Sequence, residues 1–327
     1  MFAPNARILR PRVRNSLQAH ALGWLMSLSV RPIANGIRGP LSMRLIRQLY
    51  PITGVVMGGV PDHVQVTPVR RADVRGEWIC PEDTRSPGKV ILYLHGGGYF
   101  FGSAAQHRPI TWRLADSLGR PVFSANYRMA PRYTFEHWQQ DAVASYRYLL
   151  ACGYRGEDIT VGGDSAGGHL TLVLLQTLRD LGEPLPGCAV CISPWTDLSE
   201  VSVSRRGNDW RDPIIPPDMV RQLGRFLGGE RDLRHPLLSP VYGDFRGLPP
   251  LYMVAGSTEI LRDDARRTAV RAREAGVMVQ YEEWHRMPHV FPLFAAVLPE
   301  ARSAFRHITR FVEGVERLRT LPVQTAS

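Results

Sequence analysis

Lysine is almost missing from this chain of 327 residues: of its 40 basic side chains only Lys89 is a lysine, and the others are arginine. Against 30 acidic residues this leaves a net charge of +10. No compact basic run with interleaved aromatics accompanies that charge, so no nucleic-acid module is indicated. The arginine bias fits a GC-rich coding sequence, and the positive field it creates draws anionic substrates or lipid surfaces. Cysteine is scarce as well. Cys80, Cys152, Cys188 and Cys191 are too few for a disulfide framework in a chain this long. Cys188 and Cys191 have CxxC spacing inside a strand-like apolar run, where neighbouring side chains face opposite sides. Positions three apart then share no face, so they read as buried free thiols, and no second Cys/His pair completes a zinc site. Long hydrophobic runs are also absent. The apolar stretch Ala21 to Val30 follows Arg7, Arg10, Arg12 and Arg14 and stops at Arg31-Pro32. A basic region ahead of an apolar one is the layout of a signal peptide. This one has no small-residue exit and is too short to span a bilayer. The expectation is a cytoplasmic protein with no stable membrane span.

What is present is ordinary for one globular unit: 44% apolar and 21% charged residues, without internal repeats or low-complexity tracts, in a chain long enough for a large core. The most informative stretch is Gly163-Asp164-Ser165-Ala166-Gly167-Gly168, between the strand-like run Asp158 to Val161 and the helix-like run His169 to Leu175. A serine flanked by glycines two residues away on each side, between strand and helix, is the nucleophile-elbow pattern. Bulky side chains at Gly163 or Gly167 would strike neighbouring backbone, an approach that glycine tolerates. The serine is then presented at the carboxyl edge of the sheet, with a helix N-terminus behind it that favours negative charge. A second motif, His95-Gly96-Gly97-Gly98, follows the apolar run Val90 to Leu94. Backbone N–H groups of Gly97 and Gly98, with that of Ala166, make a candidate oxyanion hole, and side chains there would block the substrate carbonyl.

A nucleophilic serine needs a base, and the base an orienting acid, in the order Ser, acid, His for this kind of elbow. Downstream of Ser165 stand His169, His235, His285, His289 and His307. His169 is on the elbow helix, too near in sequence to fold back. His235 precedes a proline-rich segment, and His307 sits in an amphipathic C-terminal helix as a surface or packing residue. His285 and His289 remain, in a loop after the strand-like run Val277 to Tyr281; Pro288 and Phe291 give His289 the rigid, partly buried setting that suits a base. The acid is sought after the run Leu251 to Gly256. Glu259 is nearest the strand end, while Asp263 and Asp264 enter the next helix, where the plainer reading is helix capping and dipole compensation.

Taken together, these residues resemble the hormone-sensitive-lipase family of α/β-hydrolases, also called the GDXG family. The resemblance runs from about Val90 to Phe291 and rests on HGGG at His95 to Gly98 and on Tyr127-Arg128-Met129-Ala130-Pro131, similar to the family's YRLAP. It continues through GDSAGG at Gly163 to Gly168, Ser239-Pro240, Leu248-Pro249-Pro250, the acid loop and His289. It implies an α/β-hydrolase fold, with a mostly parallel sheet, helices on both faces and a helical cap, and a Ser-acid-His carboxylesterase without cofactor or metal. Two departures stand out. Glu259-Ile260-Leu261-Arg262-Asp263 occupies the family's Asp-Pro-Leu-x-Asp, so glutamate stands where aspartate is usual. Arg132 stands where the family places an acid after YRLAP.

The implied organisation is N-terminal cap helices over residues 1–50, with an interfacial membrane helix as the alternative there, and a catalytic domain over 51–320. A second cap insertion falls near 200–230. An antiparallel hairpin is expected from Val64 to Val69 and Glu77 to Cys80. Further strands are expected at Val122 to Ala125 and Ala189 to Ser193. Helices are expected at Thr111 to Leu118, Asp141 to Leu150, Leu170 to Leu178, Ala265 to Ala275 and Pro299 to Leu318. The expected function is hydrolysis of short- to medium-chain carboxylic esters through an acyl-enzyme by Ser165, Glu259 and His289. A lactone hydrolase, an amide deacetylase or a thioesterase would use the same groups, and a non-catalytic small-molecule receptor is the alternative of another class. Trp24, Trp210 and Phe226 stand as candidates for an acyl pocket or for cap core. The partner is a small ester substrate, with a homodimer left open.

Overall fold

Five all-buried strands fill the middle of an eight-stranded sheet in the computed structural model, which describes residues 8–11, 15–36, 59–199 and 201–320. The strands are β1 (Val64–Arg70), β2 (Arg75–Pro81), β3 (Val90–Leu94), β4 (Val122–Ala125), β5 (Ile159–Asp164), β6 (Cys188–Ile192), β7 (Leu251–Gly256) and β8 (Val279–Trp284). Their order is β1-β2-β4-β3-β5-β6-β7-β8. β1 and β2 form the expected antiparallel hairpin, β2 also runs antiparallel to β4, and every other pair is parallel. Every residue of β3 to β7 is buried, the continuous apolar habit of parallel strands covered on both faces. The flanks are treated differently. β1 is mostly exposed and carries Pro68, a residue that edge strands tolerate. The free edge of β8 is covered by Leu9, whose N–H donates to the Tyr281 carbonyl at 3.1 Å and whose carbonyl accepts from Glu283 N–H at 3.0 Å.

The helices are α1 (Leu17–Asn35), α2 (Arg108–Leu118), α3 (Phe135–Ala151), α4 (Ala166–Asp180), α5 (Ser204–Gly207), α6 (Pro217–Gly228), α7 (Arg262–Glu274) and α8 (Pro299–Thr320). α2 and α8 cover one face of the sheet, against Ile91, Tyr93, Cys188, Val190 and Val254. α3 and α4 cover the other, against Val90, Leu92, Phe123 and Val161, and α7 joins them against Ala189, Cys191 and Met253. Cys188 and Cys191 thus face opposite sides of β6. Both are free thiols, and burial pushes them up to about 11 and about 12. Lys89, just before β3, donates to Glu316 of α8 at 2.7 Å, and the buried Arg120 guanidinium holds the same carboxylate at 2.5 Å. The sheet and its C-terminal helix are tied at that point.

Several elements begin elsewhere than the sequence suggests, among them α3, α2 and β8. α3 starts at Phe135 rather than Asp141, because Thr134 and His137 form a capping box. α2 starts at Arg108 with Pro109 in its first turn. β8 starts at Val279 rather than Val277, because the Gly276 and Val277 amides close α7 by donating to Arg273 and Ala272, both at 2.9 Å. Such a left-handed closing turn uses up the amide that a strand would need.

Of the expected N-terminal cap, α1 is described and residues 37–50 lie outside the described residues. α1 meets the second expected cap segment through Arg31, whose guanidinium donates to the Asp212 and Ile215 carbonyls at 2.7 and 3.1 Å and pairs with Asp209 at 2.6 Å. That segment holds α5 and α6, and Phe226 of α6 stacks edge-on against Phe100 at 5.2 Å. Trp24 and Trp210, 72% and 82% exposed, are not cap core. No described helix is long and apolar enough to cross a membrane.

Candidate active site

Chain order brings four loops to the carboxyl edge of the sheet, the place where parallel α/β sheets put their chemistry. They follow β3, β5, β7 and β8. At the end of β5 the backbone turns so sharply that Ser165 takes φ 52° and ψ −117°, a conformation costly for any residue with a side chain and found where function requires it. The turn closes only around glycine. A Cβ on Gly163 would lie 2.6 Å from the Leu94 carbonyl oxygen, and one on Gly167 would fall on the carbonyl oxygens of Leu94 and His95. The Ser165 amide donates to Ile192 at 2.8 Å, and α4 begins at Ala166 immediately behind it.

His289 lies in the loop after β8 and is buried. Its Nε2 is 2.9 Å from the Ser165 hydroxyl and its Nδ1 is 2.9 Å from Glu259 Oε2. The three side chains form one hydrogen-bonded chain, with Nδ1–H donating to the carboxylate and Nε2 free to accept from the serine. Glu259 is fully buried, and its other oxygen, Oε1, accepts from the Ser193 hydroxyl at 2.7 Å and from the Gly256 amide. The extra methylene of glutamate is therefore absorbed by folding the carboxylate back over its own strand end. Burial alone would lower the His289 pKa. The hydrogen bond and charge of Glu259 outweigh it, with more distant help from Asp212 and Asp164, and leave it raised above the ordinary 6.5.

The remaining candidates separate cleanly. His285 and His235 are exposed. His169 is buried between the Tyr99 hydroxyl at 2.6 Å and the Leu238 carbonyl at 3.0 Å, and burial lowers it to about 4. His307 packs on Trp284 and bonds Glu282. Asp263 and Asp264 do sit in the first turn of α7, but neither caps it, which corrects the capping expectation. Asp264 accepts from the Thr196 and Asp197 amides at 3.1 and 3.0 Å and from the Ser202 hydroxyl, and it faces Arg205 at 3.3 Å. Asp263 receives the Ser204 amide at 2.9 Å. Both carboxylates bind the segment after β6, while the first amides of their own helix find other acceptors in Glu259, Ser204 and Leu261. Arg132 lies on the surface over the Tyr133 ring and bears on none of these groups.

After β3 the loop His95 to Phe101 doubles back on itself: the Phe100 and Phe101 amides donate to the Gly97 carbonyl at 3.1 and 2.9 Å, and Gly97 and Gly98 take φ of 111° and 60°. α6 lies directly over it, so that a Cβ on Gly98 would be 3.3 Å from Leu223 Cδ1. Among the described residues the Gly97, Gly98 and Ala166 amides donate to no protein acceptor. No group of described His, Cys, Asp and Glu side chains is placed to hold a metal ion.

The sequence alone did not reveal the polar groups that hold the acid loop. Besides Ser193, these are Asn208, whose side-chain amide donates to the Ser257 and Glu259 carbonyls at 3.0 and 2.8 Å, and Asp212, which accepts the Ile260 amide at 2.9 Å. Ser193-Pro194, directly after an apolar strand run, was the one local hint.

A family model described as an alpha/beta hydrolase fold matches residues 91–293. A crystal structure of an esterase from the bacterial hormone-sensitive lipase (HSL) family superposes with a TM-score of 0.85 at 36% identity, covering 92% of this chain and 99% of that one. The chain belongs to the hormone-sensitive-lipase family of α/β-hydrolases. Among its relatives, the acetyl-hydrolase of Streptomyces hygroscopicus is 45% identical over 70% of this chain and 76% of its own length. The esterase of Acinetobacter venetianus is 32% identical over 86% and 93%. In this chain the histidine-to-carboxylate bond is made by Glu259.

Proposed function

We propose that this chain is a serine carboxylesterase that hydrolyses short- to medium-chain carboxylic esters through an acyl-enzyme. The unbroken chain from Ser165 through His289 to the buried Glu259 carries this reading. His289 Nε2 takes the hydroxyl proton as Ser165 Oγ attacks the ester carbonyl, and Glu259 stabilises the imidazolium that forms. The carbonyl oxygen becomes an oxyanion met by the Gly97, Gly98 and Ala166 amides, each donor worth roughly 3 kcal/mol in such a site. His289 then gives its proton to the leaving alkoxide, and water attacks the acyl-serine by the same steps in reverse roles. α1 and the segment carrying α5 and α6 act as the cap. Leu223 over Gly98 and Phe226 against Phe100 leave a low roof, which favours short acyl groups, as does the similarity to a protein named acetyl-hydrolase.

The test is a series of p-nitrophenyl esters of rising chain length with Ser165→Ala beside the unaltered protein. The alanine variant is expected to fold and to lose turnover by about five to six orders of magnitude, the usual cost of removing such a nucleophile. A serine-directed organophosphonate is expected to label Ser165. Near-full activity in the variant, or labelling elsewhere, overturns the assignment. A preference for long-chain emulsions overturns the chain-length reading.

A further inference from the structure

Behind the loop that carries Gly97 and Gly98 lies a buried polar group that this reaction does not use. Asp164, the residue before the nucleophile, is 2% exposed. Its Oδ1 accepts the Tyr93 hydroxyl at 2.7 Å and the Gly96 amide at 3.0 Å, and its Oδ2 lies 3.3 Å from Nε2 of His107. Contact with Gly96 is so close that a Cβ there would fall on the carboxylate. His107, also 2% exposed, has its other ring nitrogen, Nδ1, 3.0 Å from the Ser103 carbonyl oxygen. The Ser103 carbonyl oxygen only accepts, so Nδ1 donates to it, and Nε2 stands within ion-pair distance of the Asp164 carboxylate, a setting that favours the protonated ring. Burial works against that charge, yet His107 is raised above the ordinary 6.5 by the charge and hydrogen bond of Asp164.

A second histidine shows the contrast. The His95 ring stacks on Tyr127 at 4.4 Å and lies 5.4 Å from the His107 ring. Its Nδ1 donates to the Gly96 carbonyl at 2.8 Å, and its Nε2 has no partner among the described residues. Burial and the neighbouring His107 hold it near 3, so it is neutral. Burial and His107 push one buried histidine down, Asp164 lifts the other, and the one lifted sits against both ends of a single loop. Through Ser103 it holds the far end; through Asp164 and the Gly96 amide it holds the near end. The Gly97 and Gly98 amides lie between.

We propose that His107 is a positioning residue for the reaction assigned above: as a buried imidazolium it fixes Asp164, and the pair clamps the 96–103 loop so that the Gly97 and Gly98 amides stay aimed at the developing oxyanion. The inference rests on the esterase reading of Ser165. A histidine suits the task because its two donors point in opposite directions from one rigid ring and bridge two acceptors that a flexible lysine would not hold apart. The clamp matters little to the ground-state carbonyl and much to the tetrahedral state, since a misaimed donor loses its value where charge develops.

The experiment compares His107→Gln and Tyr93→Phe with the unaltered enzyme on p-nitrophenyl acetate, with rates referred to active sites counted by organophosphonate titration. A trifluoromethyl ketone, whose carbonyl carbon bonds to Ser165 Oγ while its oxygen becomes the oxyanion, is the binding probe. His107→Gln is expected to lower kcat on the order of 10²-fold, about the loss of one oxyanion donor. KM should change little, and ketone affinity should fall in step with kcat/KM. Tyr93→Phe, which removes one bond from the same carboxylate, is expected to give a several-fold loss with the same split. A residue that only supports the fold would lower the count of active sites and leave kcat per site and ketone affinity unmoved. That result in either soluble variant overturns the proposal. If the unaltered protein cleaves no ester, it is the esterase reading that fails, and the two failures are thereby distinguished.

Discussion

The two ends of the Ser165–His289–Glu259 chain are built by different means. On the Ser165 side the key geometry lies within six consecutive residues: glycines that let backbone touch backbone, a serine forced to φ 52°, and a helix that starts at the next residue. On the acid side almost nothing is local. Glu259 is held by Ser193 from the loop after β6 and by Gly256 at its own strand end, and the backbone of its loop is held at the Glu259 carbonyl by Asn208 and at the Ile260 amide by Asp212. Arg31 of α1 holds the carbonyls of Asp212 and Ile215 in turn. A turn closed by backbone packed on backbone is broken first by substitutions within it. A site built of borrowed side chains is open to substitutions far from it in sequence, and through them to whatever moves α1 and the segment that carries α5 and α6.

The largest effect that separates the two ends is at Glu259 itself. Glu259→Gln is expected to lower kcat about four orders of magnitude, as loss of the orienting carboxylate does in a comparable triad, with KM nearly unchanged in steady-state assays. Glu259→Asp is expected to keep part of the activity. An aspartate variant as inactive as the glutamine one would mean that Ser193 and Gly256 fit only the longer side chain. A smaller effect is expected at Asn208. Asn208→Ala removes one buried and one part-buried hydrogen bond to the Glu259 loop and is expected to cost about 1–3 kcal/mol in denaturant unfolding. It is also expected to lower kcat roughly tenfold, about 1.4 kcal/mol of transition-state stabilisation. Unchanged kcat with lowered stability would show that the loop keeps its geometry without the cap.

The smallest and most diagnostic effect is in the pH profile. The raised His289 pKa means that the base is protonated and idle at low pH and becomes competent as pH rises through that pKa. The acid limb of kcat/KM is therefore expected to have its midpoint above the ordinary 6.5 of free histidine. In Glu259→Gln the residual activity should show that midpoint moved downward, because the carboxylate supplies the lift while burial opposes it. A midpoint that stays put would place the source of the lift elsewhere, at Asp212 or Asp164.

This division also explains what could be read from the amino-acid order. β3 to β7, the elbow and the glycine loop were legible because each is a local requirement: an uninterrupted apolar run for a doubly covered strand, glycine wherever a Cβ would strike a carbonyl. His289 followed from chain order and from a stiff neighbourhood of Pro288 and Phe291. Ser193, Asn208 and Asp212 were not legible, since they reach residues 66, 51 and 48 positions away. Hydrophobic periodicity tells which face is buried, not which polar side chain crosses a gap between loops. Asp263 and Asp264 show the same limit in reverse. Their place in the first turn of α7 was foreseen, but a carboxylate there is equally able to cap its own helix or to gather amides from another segment, and these two do the latter. The beginning of α3 was missed because Thr134 closes its capping box with a histidine in place of glutamate or glutamine.

The one lysine has a practical corollary. Lys89 is engaged with Glu316 and its side chain is only 30% exposed. Reagents that acylate or cross-link side-chain amines therefore have a single target on this protein, and that target is already occupied by an ion pair. Attachment to amine-reactive supports or dyes is expected to be slow at that position. Where it does occur, it will remove the positive charge with which Lys89 joins Arg120 in balancing Glu316, at the seam between sheet and C-terminal helix. Thiol-directed chemistry at the exposed Cys152 is the gentler handle.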